Sequence, residues 1–280
     1  GDTVRLILYK GRLKDGKSAQ YDNEFYWEVK GNKGKWEGWG VGDDPYVIEG
    51  TESDVLYEDN HLLVVNKPAG LLSQGAAKDD DNLVARAKGY LKIKYEKPGN
   101  VFVGCVHRLD RNVSGAVVLA RTSKAAARLS KAFASRDVEK RYLAIVEGRT
   151  PPTGTLEHRL APKSEGRGVV VHPEGKLARL SFERVSSSPR RSLLSVLLET
   201  GRKHQIRAQL ALAGWAIVGD PLYGSTSGDR IRRPALHASV LAFTHPVRRE
   251  EMRFQAAIPD DLKRLLAHEK FDRSAFRAFC

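Results

Sequence analysis

The 280-residue sequence has little cysteine, and this scarcity narrows the classes of protein it can belong to. Cys105 and Cys280 are its two cysteines, too few for a disulfide framework or for a cysteine-based zinc site. Apolar runs approaching the roughly 20 residues that a membrane-spanning helix needs are also absent. We therefore expect a protein without a membrane segment that resides in a reducing compartment.

Acidic side chains are also under-represented, with 34 Asp and Glu against 47 Lys and Arg and a formal net charge of +13. Such an excess favours polyanionic partners, because each phosphate contact releases counterions. From the charge alone, a soluble protein that is basic but does not bind nucleic acid is an equal alternative. The first residue is Gly1 rather than Met, which indicates a processed or partial form. A targeting segment would then be missing, so its absence indicates little about compartment.

Residues 1–50 differ in composition from the rest and hold three of the four tryptophans. Residues 4–9 predict a strand and residues 14–17 a hairpin turn. Residues 1–4 and 9–16 resemble the first strands of FKBP-type prolyl isomerases. A complete isomerase domain would need about twice this length, so we expect an extension without that activity. It could instead recruit a protein partner through residues 1–50.

From residue 55 onward the hydrophobic pattern becomes regular and predicts mixed secondary structure. The predicted strands are residues 55–57 and 62–65 as a hairpin, 101–103, 117–120, 141–146 and 193–199. The predicted helices are residues 83–92, a helix capped by Thr122 or Ser123 that runs to about residue 135, and residues 204–212 before Gly214. Strands and helices do not alternate regularly, which favours an α+β domain with a largely antiparallel sheet.

Residues 107–110, His-Arg-Leu-Asp, form the most informative tetrapeptide. Asp110 lies between Arg108 and Arg111, at the end of a predicted strand and before a turn. A carboxylate in that setting can stay ionised and directed at a substrate. The alternative for an isolated Asp-Arg pair is an ordinary surface ion pair.

A second block, residues 198–210, places four basic or imidazole groups where a predicted strand meets a predicted helix. Its spacing predicts Lys203 and Arg207 on one helical face. Free amides at a helix N-terminus favour phosphate, and arginine can bind phosphate bidentately. A solvated basic face is the alternative for this block taken alone.

Together the two blocks resemble the RluA family of pseudouridine synthases. The matching segments follow that family's order: residues 66–70, 107–110 with 114–115, 140–144, 199–207, 219–224 and 236–238. Asn112 and Val113 depart from the Asp-Thr usual in the family. The resemblance covers about 200 residues and implies a pseudouridine synthase fold, with helices flanking a central sheet and an RNA-binding cleft. We expect an N-terminal extension over 1–53, a catalytic domain over 54–262 and a tail over 263–280.

The resemblance also implies roles for individual residues. Asp110 would be the catalytic carboxylate, acting either on the sugar or on the uracil ring. Arg202 is similar in position to the family's arginine that pairs with it. Tyr142 is similar to the tyrosine that stacks on the target base and could remove a proton. Arg108 is similar to a residue that fills the stack after the uridine is flipped out.

Lys67, Lys203 and Arg207 complete the set of expected RNA contacts. Uridine isomerisation involves no redox step, so the resemblance implies no cofactor. His107, His204 and His237 lack metal-ligand spacing and are interpreted as structural hydrogen-bonders.

The partner implied by the resemblance is ribosomal or transfer RNA, and residues 150–173 predict a mobile connection or an RNA-facing insertion. The family's default location is the bacterial cytoplasm, with a mitochondrial or chloroplast matrix as the alternative. A catalytically idle RNA-binding or assembly factor with the same fold is the competing hypothesis.

Overall fold

The computed structural model describes residues 4–8, 25–29, 32–34, 53–75, 81–224 and 231–271, which contain fourteen strands and four helices. The strands are β1 (Val4–Leu8), β2 (Phe25–Val29), β3 (Asn32–Gly34), β4 (Ser53–Glu58), β5 (Leu62–Lys67), β6 (Gly104–Cys105), β7 (Ser114–Ala120), β8 (Val138–Glu147), β9 (Thr153–Pro162), β10 (Val169–Val171), β11 (Lys176–Ser187), β12 (Arg191–Leu198), β13 (Leu236–Thr244) and β14 (Glu251–Gln255). The helices are α1 (Leu83–Lys94), α2 (Ser123–Ser135), α3 (Gln205–Leu212) and α4 (Asp260–His268).

All fourteen described strands belong to one sheet. Twelve of them follow the order β10-β9-β11-β12-β8-β13-β7-β5-β4-β1-β2-β3. Two further strands branch from this path, with β14 pairing with β13 and β6 with β7. Within the described ranges, β7 and β13 run parallel and the other named pairings are antiparallel. The predicted α+β class with a mostly antiparallel sheet is confirmed.

The centre of the sheet is buried on both faces. Alternate residues of a strand point to opposite faces, so β7 places Val117 and Leu119 in one apolar cluster and Val118 and Ala120 in another. All seven residues of β7 are buried. Gly115 allows β13 to lie beside β7, because a Cβ at this position would collide with the backbone of Ala238. The motif that follows Asp110 is therefore fixed in the middle of the core.

Local sequence signals explain several element ends. Thr122 caps α2, where its hydroxyl accepts a hydrogen bond from the Ala125 amide at 3.2 Å. Gly214 follows α3 with φ +83°, a left-handed conformation suited to glycine. In the β4–β5 turn, the Asp59 carboxylate accepts from the amides of His61 and Leu62. The predicted hairpin, α2 cap and α3 end are confirmed.

Two expectations about the secondary structure of the chain require correction. Residues 101–103 are not a strand, and the pairing there is limited to the short β6. Residues 150–173 contain β9 and β10, which extend the sheet instead of forming a loose connection. The predicted domain bounds stay a prediction; residue 262 lies within α4, whose Leu265 and Leu266 are buried in the main core.

The N-terminal extension stays a prediction. The backbone of β1 pairs with β4 and β2, which continues the sheet across the predicted boundary at residue 53. The predicted turn at 14–17 and most of the FKBP-like segment lie outside the described residues. In the part of the chain that the structure describes, no helix is both long and apolar enough to cross a membrane.

Candidate active site

A cleft of about 860 Å³ opens where the loop before β7 meets the turn between β12 and α3. Its walls are residues 105–111 and 198–207, together with Phe133, Arg136, Lys140 and Tyr142. The two sequence blocks that predicted chemistry therefore lie face to face, although about 90 residues separate them along the chain.

Asp110 lies on a loop that the surrounding backbone fixes in place. The Leu109 amide donates to the Ser73 hydroxyl at 3.0 Å, and that hydroxyl donates to the Leu109 carbonyl at 2.9 Å. The Val113 amide donates to the Asp110 carbonyl at 3.0 Å, which closes a turn. The Asp110 side chain keeps 27% of its surface exposed. The loop is thus rigidly held while the carboxylate stays accessible from the cleft.

Arg207, in the first turn of α3, is the arginine that pairs with Asp110. Its Nη1 donates to Asp110 Oδ2 at 2.9 Å. Its Nε and Nη2 donate to the two carboxylate oxygens of Asp220 at 2.7 and 2.9 Å. Burial disfavours the charge of Arg207, but the hydrogen bonds and negative charges of both carboxylates outweigh burial and raise its pKa. The guanidinium is therefore permanently charged and fixed in direction.

The predicted pairing of Arg202 with Asp110 is wrong. The Arg202 guanidinium Nε donates to the Leu177 carbonyl at 2.9 Å, and its amide donates to Gln205 Oε1 at 3.0 Å. Arg202 still lines the cleft. Arg207 was predicted to contact phosphate, and the structure contradicts this. Its side chain is buried and pairs with the carboxylates of Asp110 and Asp220.

Lys67 is also not an exposed phosphate contact. Its side chain is fully buried, and its Nζ donates to the carbonyls of Pro68, Leu71 and Arg111 at 2.8 to 3.2 Å. Burial lowers the pKa of Lys67 to about 7, against the opposing effect of the Asp110 charge. Lys67 joins the turn after β5 to the loop that carries Asp110, which is a structural role.

Tyr142 lies on the floor of the cleft in β8, between Val196 of β12 and Ala238 of β13. Its side chain is 8% exposed. Burial and the nearby charge of Asp110 raise its pKa, so the phenol is neutral. A neutral ring on the floor of the cleft is suited to stack on a base.

Cations surround the mouth of the cleft. Arg108 and Lys203, predicted as RNA contacts, are both exposed there. Arg111 and Arg136 are exposed as well, and Lys140 is half-buried. Sequence reasoning missed Arg136 and Lys140, which follow α2 and belong to neither block. Arg136 ends α2 with φ 66°, and this left-handed turn redirects the chain into β8. The rim is suited to a polyanion.

Two of the three histidines interpreted as structural are confirmed in that role. His107 Nε2 accepts from the Val118 amide at 3.0 Å, and burial lowers its pKa to about 3. His237 lies within hydrogen-bond distance of the Ser114 hydroxyl and the Ala256 carbonyl, and burial lowers its pKa to about 4. His204 differs, because its Nε2 lies 3.8 Å from Asp110 Oδ2. No cluster of three or more potential metal ligands occurs within the described ranges.

Comparison with known proteins identifies the family. The profile described as RNA pseudouridylate synthase matches residues 61–212. The chain belongs to this family. A ribosomal large subunit pseudouridine synthase D of Zymomonas mobilis is 36% identical over 225 residues, which are 76% of this chain and 71% of that protein. The ribosomal large subunit pseudouridine synthase D of Yersinia pestis is 34% identical over 239 residues, which cover 80% of this chain and 73% of that protein.

Solved structures of the family have the same fold. Human RNA pseudouridylate synthase domain containing 4 superimposes with a TM-score of 0.66 at 22% identity, covering 78% of this chain and 93% of that one. Human RNA pseudouridylate synthase domain containing 1 gives a TM-score of 0.59 at 26% identity, covering 73% and 83%. The resemblance to the RluA family is confirmed, and this pseudouridine synthase is an isomerase that acts on RNA.

Proposed function

We propose that this synthase isomerises uridine in ribosomal RNA, with Asp110 as the catalytic carboxylate. One observation carries the assignment: the carboxylate is directed by Arg207 and is 27% exposed inside a cleft whose rim is cationic. Arg207 contacts Oδ2. Oδ1 is then the oxygen that can approach the substrate.

The reaction itself requires a carboxylate in that position. The carbon–nitrogen glycosidic bond breaks, the uracil rotates, and a ring carbon rejoins the sugar. That carbon loses its proton, and the ring nitrogen released from the sugar gains one. Atoms and electrons balance within the nucleotide, so no external group is consumed. Asp110 can attack either the sugar or the uracil ring, and both routes use the same directed oxygen.

The target uridine must leave its stack to reach Asp110, which lies below the rim of the cleft. Arg108 is exposed two residues before Asp110. Its planar guanidinium is suited to occupy the space that the flipped base leaves. Tyr142, neutral and next to Asp110, is suited to stack on the uracil.

Ribosomal RNA is favoured as the substrate because the relatives from Zymomonas mobilis and Yersinia pestis are both named as synthases of the large ribosomal subunit. A bacterial cytoplasm, or an organelle matrix with bacterial-type ribosomes, is the corresponding location. Recruitment of a protein partner through residues 1–50 stays a separate prediction.

The test compares Asp110→Asn with Glu199→Gln, which is matched because each variant removes one negative charge from the cleft. Glu199 pairs with Arg179 instead of a catalytic group. Both variants should bind RNA at least as tightly as the parent. Pseudouridine, mapped in ribosomal RNA after single-turnover reaction, should be absent with Asp110→Asn and normal with Glu199→Gln.

Three outcomes would contradict all or part of the proposal. Turnover by a pure Asp110→Asn sample would remove Asp110 from the chemistry. A parent protein that binds ribosomal RNA without modifying any uridine would favour the idle assembly factor. Modification confined to transfer RNA would retain the catalytic assignment and reject the substrate.

A further inference from the structure

His204 belongs to a chain of polar contacts that ends at the proposed catalytic carboxylate. The Val169 amide donates to the Tyr223 hydroxyl at 3.0 Å. That hydroxyl lies 3.0 Å from His204 Nδ1. On the other side of the ring, His204 Nε2 lies 3.8 Å from Asp110 Oδ2. These contacts connect β10, the turn after Asp220 and the start of α3 to the cleft.

The first contact favours one arrangement of protons in the second. Because the Tyr223 oxygen already accepts a hydrogen from Val169, its own proton is free to be donated to His204 Nδ1. A neutral imidazole that accepts at Nδ1 carries its proton on Nε2. The Nε2 proton then faces Asp110.

The charges around His204 are compatible with a neutral ring. Burial lowers its pKa, and Arg207 and Lys203 act in the same direction, while Asp110 and Asp220 oppose them. The His204 side chain is 14% exposed. A neutral donor can contact Asp110 without cancelling the negative charge that the reaction needs.

The backbone at His204 adds independent support. His204 is the residue before α3 and has φ 51°, a left-handed conformation that is uncommon outside glycine. No hydrogen bond from its side chain caps the helix. The ring is instead turned towards Tyr223, against which it packs edge to face at 5.8 Å. The left-handed conformation therefore sets both the start of α3 and the direction of the ring, which lies between Tyr223 and Asp110.

We propose that His204 is a positioning residue whose Nε2–H holds Asp110 Oδ2, and that the Tyr223 hydroxyl selects the required tautomer. The inference rests on the proposed role of Asp110. In the free protein 3.8 Å is longer than a hydrogen bond, and catalytic hydrogen bonds commonly tighten when substrate binds. Arg207 and His204 would then both contact Oδ2, which leaves Oδ1 to react.

The experiment uses three variants of the full chain. His204→Phe removes the donor, His204→Gln supplies an amide N–H in its place, and Tyr223→Phe removes only the hydroxyl while keeping the ring beside Arg207. We expect His204→Phe to lower kcat about tenfold, as for loss of one hydrogen bond to a charged group, with RNA affinity nearly unchanged. His204→Gln should recover most of that loss.

Tyr223→Phe tests the tautomer directly. It should lower kcat in the parent and have no further effect in His204→Gln, because an amide has no tautomer to select. Nitrogen NMR of His204 should show the Nε2–H form in the parent and a mixture in Tyr223→Phe. Thermal unfolding of each variant separates folding defects from these effects.

The outcomes are distinguishable from failure of the proposed function. Turnover by Asp110→Asn would overturn the role of Asp110 itself. If Asp110→Asn is inactive but folded His204→Phe turns over at the parent rate, only the role of His204 is overturned. An equal cost of Tyr223→Phe in both backgrounds would also overturn it, since Tyr223 would then act without His204. If His204→Phe does not fold, two other measurements test the role of His204. They are the kcat of His204→Gln against that of His204→Gln combined with Tyr223→Phe, and the NMR spectra of His204.

Discussion

A substitution at Asp220 can change the orientation of the Asp110 carboxylate without altering Asp110 itself, because both residues bind Arg207. Asp220 is fully buried and accepts two hydrogen bonds from Arg207 and one from the Leu222 amide. Asp220→Asn keeps the side-chain size but removes the charge. It also replaces one acceptor oxygen with an NH₂ group that faces the guanidinium donors. Arg207 would then be free to reorient, and Asp110 would lose its fixed partner.

The magnitudes follow from the type of contact. Breaking a buried ion pair costs about 3–5 kcal/mol, and we expect the free energy of unfolding to fall by about that amount. The Arg207–Asp110 hydrogen bond joins charged groups and is worth about 1.5–3 kcal/mol. If it is lost, kcat should fall by about ten- to a hundredfold, with RNA affinity little changed because Arg207 is buried.

Asp261→Asn is the matched control. Asp261 accepts a similar pair of hydrogen bonds from Arg233, at 2.6 and 2.9 Å, but this pair does not contact Asp110. Arg233 is buried but the Asp261 side chain is 31% exposed, so we expect a loss of stability smaller than the about 3–5 kcal/mol of a fully buried pair. Chemical denaturation would give the stabilities, and single-turnover pseudouridine formation the rates. A folded Asp220→Asn protein with parental kcat, or an equal loss of kcat in Asp261→Asn, would refute the reasoning.

Three further predictions concern the rim and the core. Arg108→Ala should abolish flipping of a fluorescent base analogue at the target position, while RNA binding keeps most of its dependence on salt. If the base flips normally, Arg108 is an ordinary phosphate contact. Lys203→Ala should reduce the slope of log affinity against log salt by about 0.7 to 0.9, and an unchanged slope would exclude a phosphate contact. His237 has a pKa of about 4 in the fold, so its protonation in the unfolded chain should cost about 3 kcal/mol of stability as pH falls from 6.5 to 4. Denaturation of His237→Asn should show a weaker dependence on pH over that range.

Much of the fold was predictable because the responsible interactions are local. The Thr122 cap, the glycine after α3 and the apolar runs of β4 and β5 on either side of their turn depend on residues a few positions apart, so the sequence alone indicates them. The order of the motifs indicated the family for a similar reason, since each motif is a contiguous segment. Residues 150–173 were misinterpreted because their Pro, Gly and charge content resembles a loop, whereas strand pairing with β11 overrides composition.

The motifs in the sequence, through the family resemblance, implied that Asp110 pairs with an arginine of the second block. The tertiary structure decided which arginine it is. Arg202 and Arg207 have the same chemistry and lie in the same segment. The left-handed backbone at His204 turns α3 so that Arg207, 97 residues from Asp110, lies at the carboxylate while Arg202 bonds a carbonyl of β11. Lys67 was predicted to contact RNA, but the structure buries its side chain. Three carbonyls brought together by long-range packing satisfy its ammonium group, and no local pattern encodes their convergence.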